Sequence, residues 1–114
     1  MEALQYHIDM TPESRWKIVS AGAFAKENLL YLQEAGHFIS GANYYTVRSA
    51  LDSYLVKLTL SGQGILEYGG QTCVLAPGSF FWIDCRMPQH YYTDPAVGQW
   101  DVLWFHFNGA TAAA

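Results

Sequence analysis

Apolar and polar residues alternate with a period of two through most of the chain after residue 30, a pattern typical of β-strands rather than helices. The segment YLVKLTLS, from Tyr54 to Ser61, is the clearest case, because its even-numbered residues would share one face of a strand and its odd-numbered residues the other. Similar runs of strand length follow one another. They are Leu30–Ile39, Tyr44–Arg48, Ile65–Tyr68, Gln71–Leu75, Ser79–Asp84, Gln89–Thr93 and Trp100–Asn108. The pattern therefore predicts an all-β chain.

Glycine and proline separate these runs where tight turns are expected. Gly69-Gly70 lies between two runs and predicts a hairpin, since glycine readily adopts the positive φ that the turn needs. Pro77-Gly78 precedes the four consecutive apolar residues FFWI, which predict a strand buried on both faces. Asp94-Pro95 marks another turn before the last strand. A hairpin, a Pro-Gly corner and two further strands within about thirty residues predict the meander of a small β-barrel or sandwich.

The first third of the chain has a weaker pattern. Residues 25–36, AKENLLYLQEAG, suit a helix because Ala, Lys and Glu favour one, but the alternation that starts at Leu30 suits a strand equally well. We predict the strand, since the rest of the chain is β. Residues 1–25 are predicted to form an arm that lies over the domain, with Trp16 as its largest anchor. The predicted organisation is an arm at 1–25, a barrel at 26–109 and a truncated tail at 110–114.

Composition narrows the range of functions. Only 14% of the residues are charged, which predicts that part of the surface is covered by a partner. The net charge is −4 and the basic residues are scattered singly, so DNA binding by this chain alone is excluded. Cys73 and Cys85 have no metal-binding spacing and are predicted to be buried free thiols, with a disulfide between them as the alternative. No signal peptide and no apolar run of roughly 20 residues is present, which predicts a cytoplasmic protein without a membrane span.

Three segments, SGQG, LAPGSFFWIDCRMPQHYY and WDVLWFHFNG, resemble in order and spacing the sensor domain of AraC-type transcription regulators. The resemblance covers residues 30–109 and implies a cupin-like β-barrel, or double-stranded jelly roll, that binds a small effector such as a sugar. An N-terminal arm can close over the barrel in this family. The resemblance also implies a homodimer formed by helices after the barrel, and DNA contact only through a helix-turn-helix domain downstream.

The same resemblance implies which residues face the effector. Tyr91 takes the position of a tyrosine in the sugar site, Trp104 that of a stacking tryptophan, and Arg48 that of an arginine near the start of the barrel. Gln89 shares the face of Tyr91, and Val102 shares the face of Trp104; both stand where the family's pattern has histidine, so arabinose itself is not implied. An indole ring suits the C–H face of a sugar, and fixed polar groups suit its hydroxyls. Alternatively, Tyr91 and Trp104 fill the interior of a small barrel as ordinary core.

A metal-dependent cupin enzyme, such as a sugar isomerase or dioxygenase, is the alternative function. Metal cupins resemble one another in two motifs that supply three His and one Glu to the metal. Here the implied Glu position is Leu55 and the implied histidine of the second motif is Gln89, so the ligands are missing. We therefore expect no metal, no cofactor and no catalytic residue. A filled barrel that serves only for dimerisation is a third possibility.

Overall fold

The computed structural model describes residues 4–7, 9–18, 22 and 30–109, and this part of the chain folds into ten β-strands without a helix. The strands are β1 (Leu4–His7), β2 (Arg15–Ile18), β3 (Leu30–Ser40), β4 (Tyr45–Arg48), β5 (Tyr54–Gly62), β6 (Gly64–Tyr68), β7 (Gln71–Leu75), β8 (Phe80–Asp84), β9 (Gln89–Thr93) and β10 (Trp100–Gly109). Each strand predicted from the sequence forms, and its ends differ from the prediction by at most one residue. Among the described residues, no helix could cross a membrane.

The strands form two five-stranded antiparallel sheets. One sheet has the order β1-β4-β9-β6-β7 and the other the order β2-β3-β10-β5-β8. Strands that are distant in sequence lie side by side, as where β10 pairs with both β3 and β5. The inner faces of the two sheets enclose the core. This arrangement confirms the predicted all-β, cupin-like jelly roll.

The N-terminal segment contributes one edge strand to each sheet. β1 pairs with β4, and β2 pairs with β3 in a register that places Trp16 opposite Gly36. Between these two strands, the carbonyl of Asp9 accepts a hydrogen bond from Gly41 N at 2.7 Å, next to the turn that joins β3 to β4. The segment therefore crosses from one sheet to the other at this turn.

Two predictions about burial are wrong. β8 is not buried on both faces: Phe81 and Ile83 point into the core, but Phe80 and Trp82 are 64% and 58% exposed. The reason is that the outer face of this sheet has no covering layer among the described residues, so outward side chains of its central strand β10, Leu103 and Phe105, are exposed as well. Cys73 is exposed rather than buried, because it lies on the edge strand β7, where Leu75 is the buried residue. Cys85 is buried, and both cysteines are free thiols as predicted.

The strand β5 turns its less apolar face inward. Leu55, Lys57 and Thr59 are buried, whereas the apolar residues that alternate with them are only partly buried. Thr59 accepts a hydrogen bond at 3.0 Å from the indole Nε1 of Trp100, a core residue with no exposed surface. Gly64 lies against the same indole ring, where a Cβ atom would come within 2.2 Å of it. The interior of the barrel therefore contains the polar side chains of Lys57 and Thr59 next to the tightly packed ring of Trp100.

Candidate functional site

A cavity of about 210 Å³ lies between the two sheets. Strands of both sheets supply its walls, and aromatic rings alternate there with polar and charged side chains. The lining residues are Trp16, Glu34, Phe38, Tyr44, Thr46, Arg48, Leu55, Lys57, Tyr91, Trp104 and His106. Three of the five residues predicted to face an effector, Arg48, Tyr91 and Trp104, are therefore brought together in one cavity.

Gln89 and Val102 do not line this cavity. Gln89 is buried behind Arg48: its Nε2 donates to the backbone carbonyls of Met87 at 2.7 Å and Cys85 at 3.1 Å, and its Oε1 accepts from Arg48 Nε at 3.4 Å. Val102 faces inward, as the alternation of β10 predicted, but it has no exposed surface and belongs to the packed core. The geometry gives Gln89 the role of positioning Arg48.

Arg48 is held by neutral acceptors alone. Its Nη2 donates to the hydroxyl of Tyr91 at 3.0 Å and contacts Nε2 of His106 at 3.3 Å. Within the part of the chain that the structure describes, Arg48 has no ion pair with a carboxylate. A guanidinium has five N–H donors, so donors remain for a ligand.

Trp104 forms one wall of the cavity and is nearly buried. Its ring is packed edge-on against Phe38, with centroids 5.0 Å apart, and against Trp16, at 6.1 Å. Gly36 allows this packing, because a Cβ atom there would lie 2.6 Å from Cζ2 of Trp104. The indole Nε1 is buried and has no hydrogen-bond partner among the described residues. A buried N–H without an acceptor costs about 1–3 kcal/mol, so this donor marks a place where a ligand atom would be stabilised.

Trp16 lies at the rim of the cavity, on β2. Half of its surface is exposed, and its ring also packs edge-on against Phe38 at 5.8 Å. The indole that the sequence predicted as the anchor of the arm thus contacts two cavity-lining rings. Any ligand that touches Trp16 would stabilise the pairing of β2 with β3.

Lys57 is the most unusual of the lining residues that were not predicted as site residues. It is 3% exposed, its Nζ donates to the hydroxyl of Tyr44 at 3.1 Å, and the same atom lies 4.1 Å from the ring centroid of Tyr91. Burial, and after it the positive charge of Arg48, holds the pKa of the Lys57 amine well below its usual range. The aromatic faces favour the protonated amine, but they do not outweigh full burial. The sequence did contain a pointer to Lys57. It lies on the same face of β5 as Leu55, and Leu55 takes the position that the resemblance to metal cupins assigns to a ligand.

His106 faces the cavity from β10 in its neutral form. Burial, followed by the charges of Arg48 and Lys57, lowers the pKa of its imidazole to about 3. Because Nε2 meets the Arg48 donor, it acts as the acceptor, and Nδ1 then donates to Ser53 Oγ at 3.0 Å. Ser53 in turn donates to Gln33 Oε1 at 2.6 Å. This chain of hydrogen bonds fixes the imidazole as an acceptor for Arg48.

No three His, Cys, Asp or Glu side chains come together within the described ranges. A second, wider depression of about 710 Å³ lies at one end of the sheet β1-β4-β9-β6-β7, beside the Gly69-Gly70 turn and Pro88. Arg48 and Gln89 also line this depression, but it is open to solvent and most of its other lining residues belong to turns or edge positions. The cavity is therefore the better candidate for a small-molecule site.

A jelly roll of two antiparallel sheets around a polar cavity is the architecture of a ligand-binding cupin domain. Residues 31–114 match the family model described as AraC-like ligand binding domain, and the chain belongs to that family. No curated protein matches the chain significantly.

Solved structures share the fold at low sequence identity. A cupin 2 conserved barrel domain protein from Salinispora arenicola is 10% identical with a TM-score of 0.59, over 91% of this chain and 83% of that chain. A cupin superfamily protein from Desulfitobacterium hafniense is 12% identical with a TM-score of 0.55, over 82% and 76%. An HTH_3 family transcriptional regulator from Vibrio cholerae is 12% identical with a TM-score of 0.59, over 91% of this chain and 50% of that chain. The chain also spans only 55% and 51% of two further matching structures. Identities this low show the fold alone.

Proposed function

We propose that this domain senses a small, polar, sugar-like molecule in the cavity and serves as the effector-binding half of a cytoplasmic transcription regulator. The observation that carries the proposal is the cavity itself, which brings the Trp104 ring together with Arg48 and Tyr91; the buried indole N–H of Trp104 has no acceptor among the described residues. Membership of the AraC-like ligand binding family supports a ligand in general. The barrel itself does no chemistry in this proposal.

The size and lining of the cavity suit a ligand no larger than a monosaccharide. Its volume of about 210 Å³ is below the roughly 300–1,000 Å³ typical of sites for drug-sized ligands. Rings such as Trp104 and Phe38 can cover the C–H face of a sugar, while Arg48 and Tyr91 can bind its hydroxyls. An open cavity also weighs against a filled barrel that serves only for dimerisation.

Regulation would require a second domain for DNA. The acidic balance of this chain, with a net charge of −4, makes direct contact with phosphates unfavourable. The fold match to half of a transcriptional regulator from Vibrio cholerae supports the pairing of such a barrel with a DNA-binding unit. Trp16 offers a route for the signal, because it lines the cavity and belongs to the edge strand β2.

The function is tested by screening monosaccharides and small polar metabolites against the purified chain in a thermal-unfolding assay. A compound that binds in the cavity should raise the Tm of the parent and not that of Arg48→Met, which keeps the apolar stem and removes the donors. A fusion of the chain to a heterologous DNA-binding domain should then change reporter expression when the same compound is added. A hit that protects both proteins equally would place binding outside the cavity and contradict the proposal.

We also expect the domain to form a homodimer through the outer face of the sheet β2-β3-β10-β5-β8. The strand register aligns Phe105, Val56 and Trp82 across this face, and a parallel row aligns Leu103, Leu58 and Phe80. Most of these side chains are exposed, and a contiguous apolar surface of this kind is typical of an interface. Sedimentation at tens of micromolar should show a dimer for the parent and a monomer for Phe105→Lys. A monomeric parent would contradict this expectation.

A further inference from the structure

The cavity is lined by two basic side chains and further donors, beside the acceptor oxygens of Glu34, Tyr44 and Thr46. Arg48 and Lys57 supply N–H groups, Trp104 supplies an N–H without a partner, and the Tyr91 hydroxyl, which already accepts from Arg48, has its proton left to donate. The acceptor nitrogen of His106 is already taken by Arg48. A ligand that satisfies these groups must therefore bring acceptors.

The two cationic side chains meet on one residue. The Lys57 amine lies over the ring of Tyr91, and the Arg48 guanidinium donates to the hydroxyl of the same tyrosine. Neither cation makes an ion pair with any carboxylate of the described residues. Lys57 is the buried one of the two, and burial opposes the positive charge of its amine unless an anion lies beside it, whereas Arg48 is only partly buried. No carboxylate of the described residues fills that place, and an anionic ligand in the cavity would do so.

We propose that the ligand of the cavity is an organic acid of monosaccharide size, a sugar acid rather than a neutral sugar, whose carboxylate binds between Arg48 and Lys57. This inference rests on the proposed function and specifies its ligand. The carboxylate would accept hydrogen bonds from both cations, and the ring of the ligand would lie toward Trp104, whose indole N–H can donate to a hydroxyl oxygen. Burial depresses protonation of the Lys57 amine in the empty cavity, and a bound anion would restore it.

Glu34 is the one acidic side chain in the lining, and it gives the proposal a sharp control. Its carboxylate forms no ion pair with either cation, so it acts on the cavity as a separate negative charge. If the ligand is an anion, Glu34→Gln removes a repulsive charge and binding becomes tighter. If Glu34 instead compensates the cations for a neutral ligand, the same substitution has no such effect.

The experiment compares matched pairs of probes by calorimetry at neutral pH: galacturonate with galactose, glucuronate with glucose, and acetate with acetamide as the smallest pair. The purified chain should bind at least one carboxylate about tenfold to a hundredfold more tightly than its neutral partner, as expected for charge-assisted hydrogen bonds. Lys57→Met should lose most of this preference and still fold, because an apolar side chain of similar volume replaces a buried amine. Lys17→Met, at an exposed lysine on β2, should keep the preference.

The failures of the two proposals are distinguishable. If galactose or glucose binds as tightly as its acid, the sugar-sensing function stands and the inference about the carboxylate is wrong. If no carboxylate binds, the inference is also wrong, while the function remains subject to the wider screen of neutral compounds. Equal preference for the acid in the parent and in Lys57→Met would place the carboxylate elsewhere and overturn the assignment to this pair.

Discussion

Trp104→Ala is expected to lower the free energy of unfolding by about 3–5 kcal/mol, the usual cost of removing a buried aromatic side chain. Trp104 packs against Phe38, Trp16 and the backbone at Gly36, and each of these contacts would be lost. A domain of this size has only about 5–15 kcal/mol of stability, so the variant should unfold well below the parent in a thermal or urea titration. That result alone would not separate a binding role from a packing role.

The milder Trp104→Phe makes the separation. A phenyl ring keeps much of the packing but removes the indole N–H, which has no partner among the described residues. We expect a nearly unchanged Tm and weakened binding of any ligand found for the cavity. Val102→Ala is the matched control, since Val102 is buried on the same face of β10 without lining the cavity. It should cost about 2 kcal/mol of stability and leave binding to the folded fraction intact. A Trp104→Phe variant that binds like the parent would show that Trp104 is ordinary core.

His106 should make the fold sensitive to acid between about pH 6.5 and pH 3. Its pKa is lowered from 6.5 to about 3, because burial and the nearby cations oppose a charged imidazole. Above pH 6.5 both the folded and the unfolded chain carry the neutral ring, and the fold has its full stability. As the pH falls toward 3, only the unfolded chain takes up the proton, so on the order of 4–5 kcal/mol of stability is lost.

This loss should be visible in urea titrations at a series of pH values. His106→Gln, whose amide oxygen can still accept from Arg48, should flatten the pH dependence in that range. His90→Gln, at a histidine outside the cavity, should keep the slope of the parent. If His106→Gln loses stability with the same slope as the parent, the acid sensitivity arises from the carboxylates instead.

Strand positions were predictable from this sequence because the alternation of side chains is a local property of each strand. The Gly-Gly and Pro-Gly turns fixed where strands end, and the ends of β7 and β9 agree with the prediction to the residue. The exposure of Phe80 and Trp82 was not predictable in the same way. Four consecutive apolar residues look the same whether the outer face of their sheet is covered or bare, and here that face is bare even on the central strand β10.

The site was predictable in part. The family resemblance brought Arg48, Tyr91 and Trp104 forward, and the structure gathers all three around one cavity. The positioning role of Gln89 depends on backbone carbonyls of the preceding turn, which no sequence pattern reveals. Lys57 was missed because alternation gives two faces without saying which is inside, and the more apolar face of β5 is the outer one. The packing of the two sheets, rather than the pattern within one strand, therefore determines which side chains line the interior.

The pairing of β1 with β4 and of β2 with β3 has a consequence for how far this protein can be shortened. A chain that began at Ala25 would still contain the barrel strands, but β3 and β4 would become sheet edges with unpaired N–H and C=O groups. Such edges can pair with the sheet edges of other molecules. The shortened chain would also lack Trp16, which lies on β2 at the rim of the cavity. The segment that was predicted to lie over the domain as an arm instead protects two sheet edges, and we expect a chain without it to aggregate more readily.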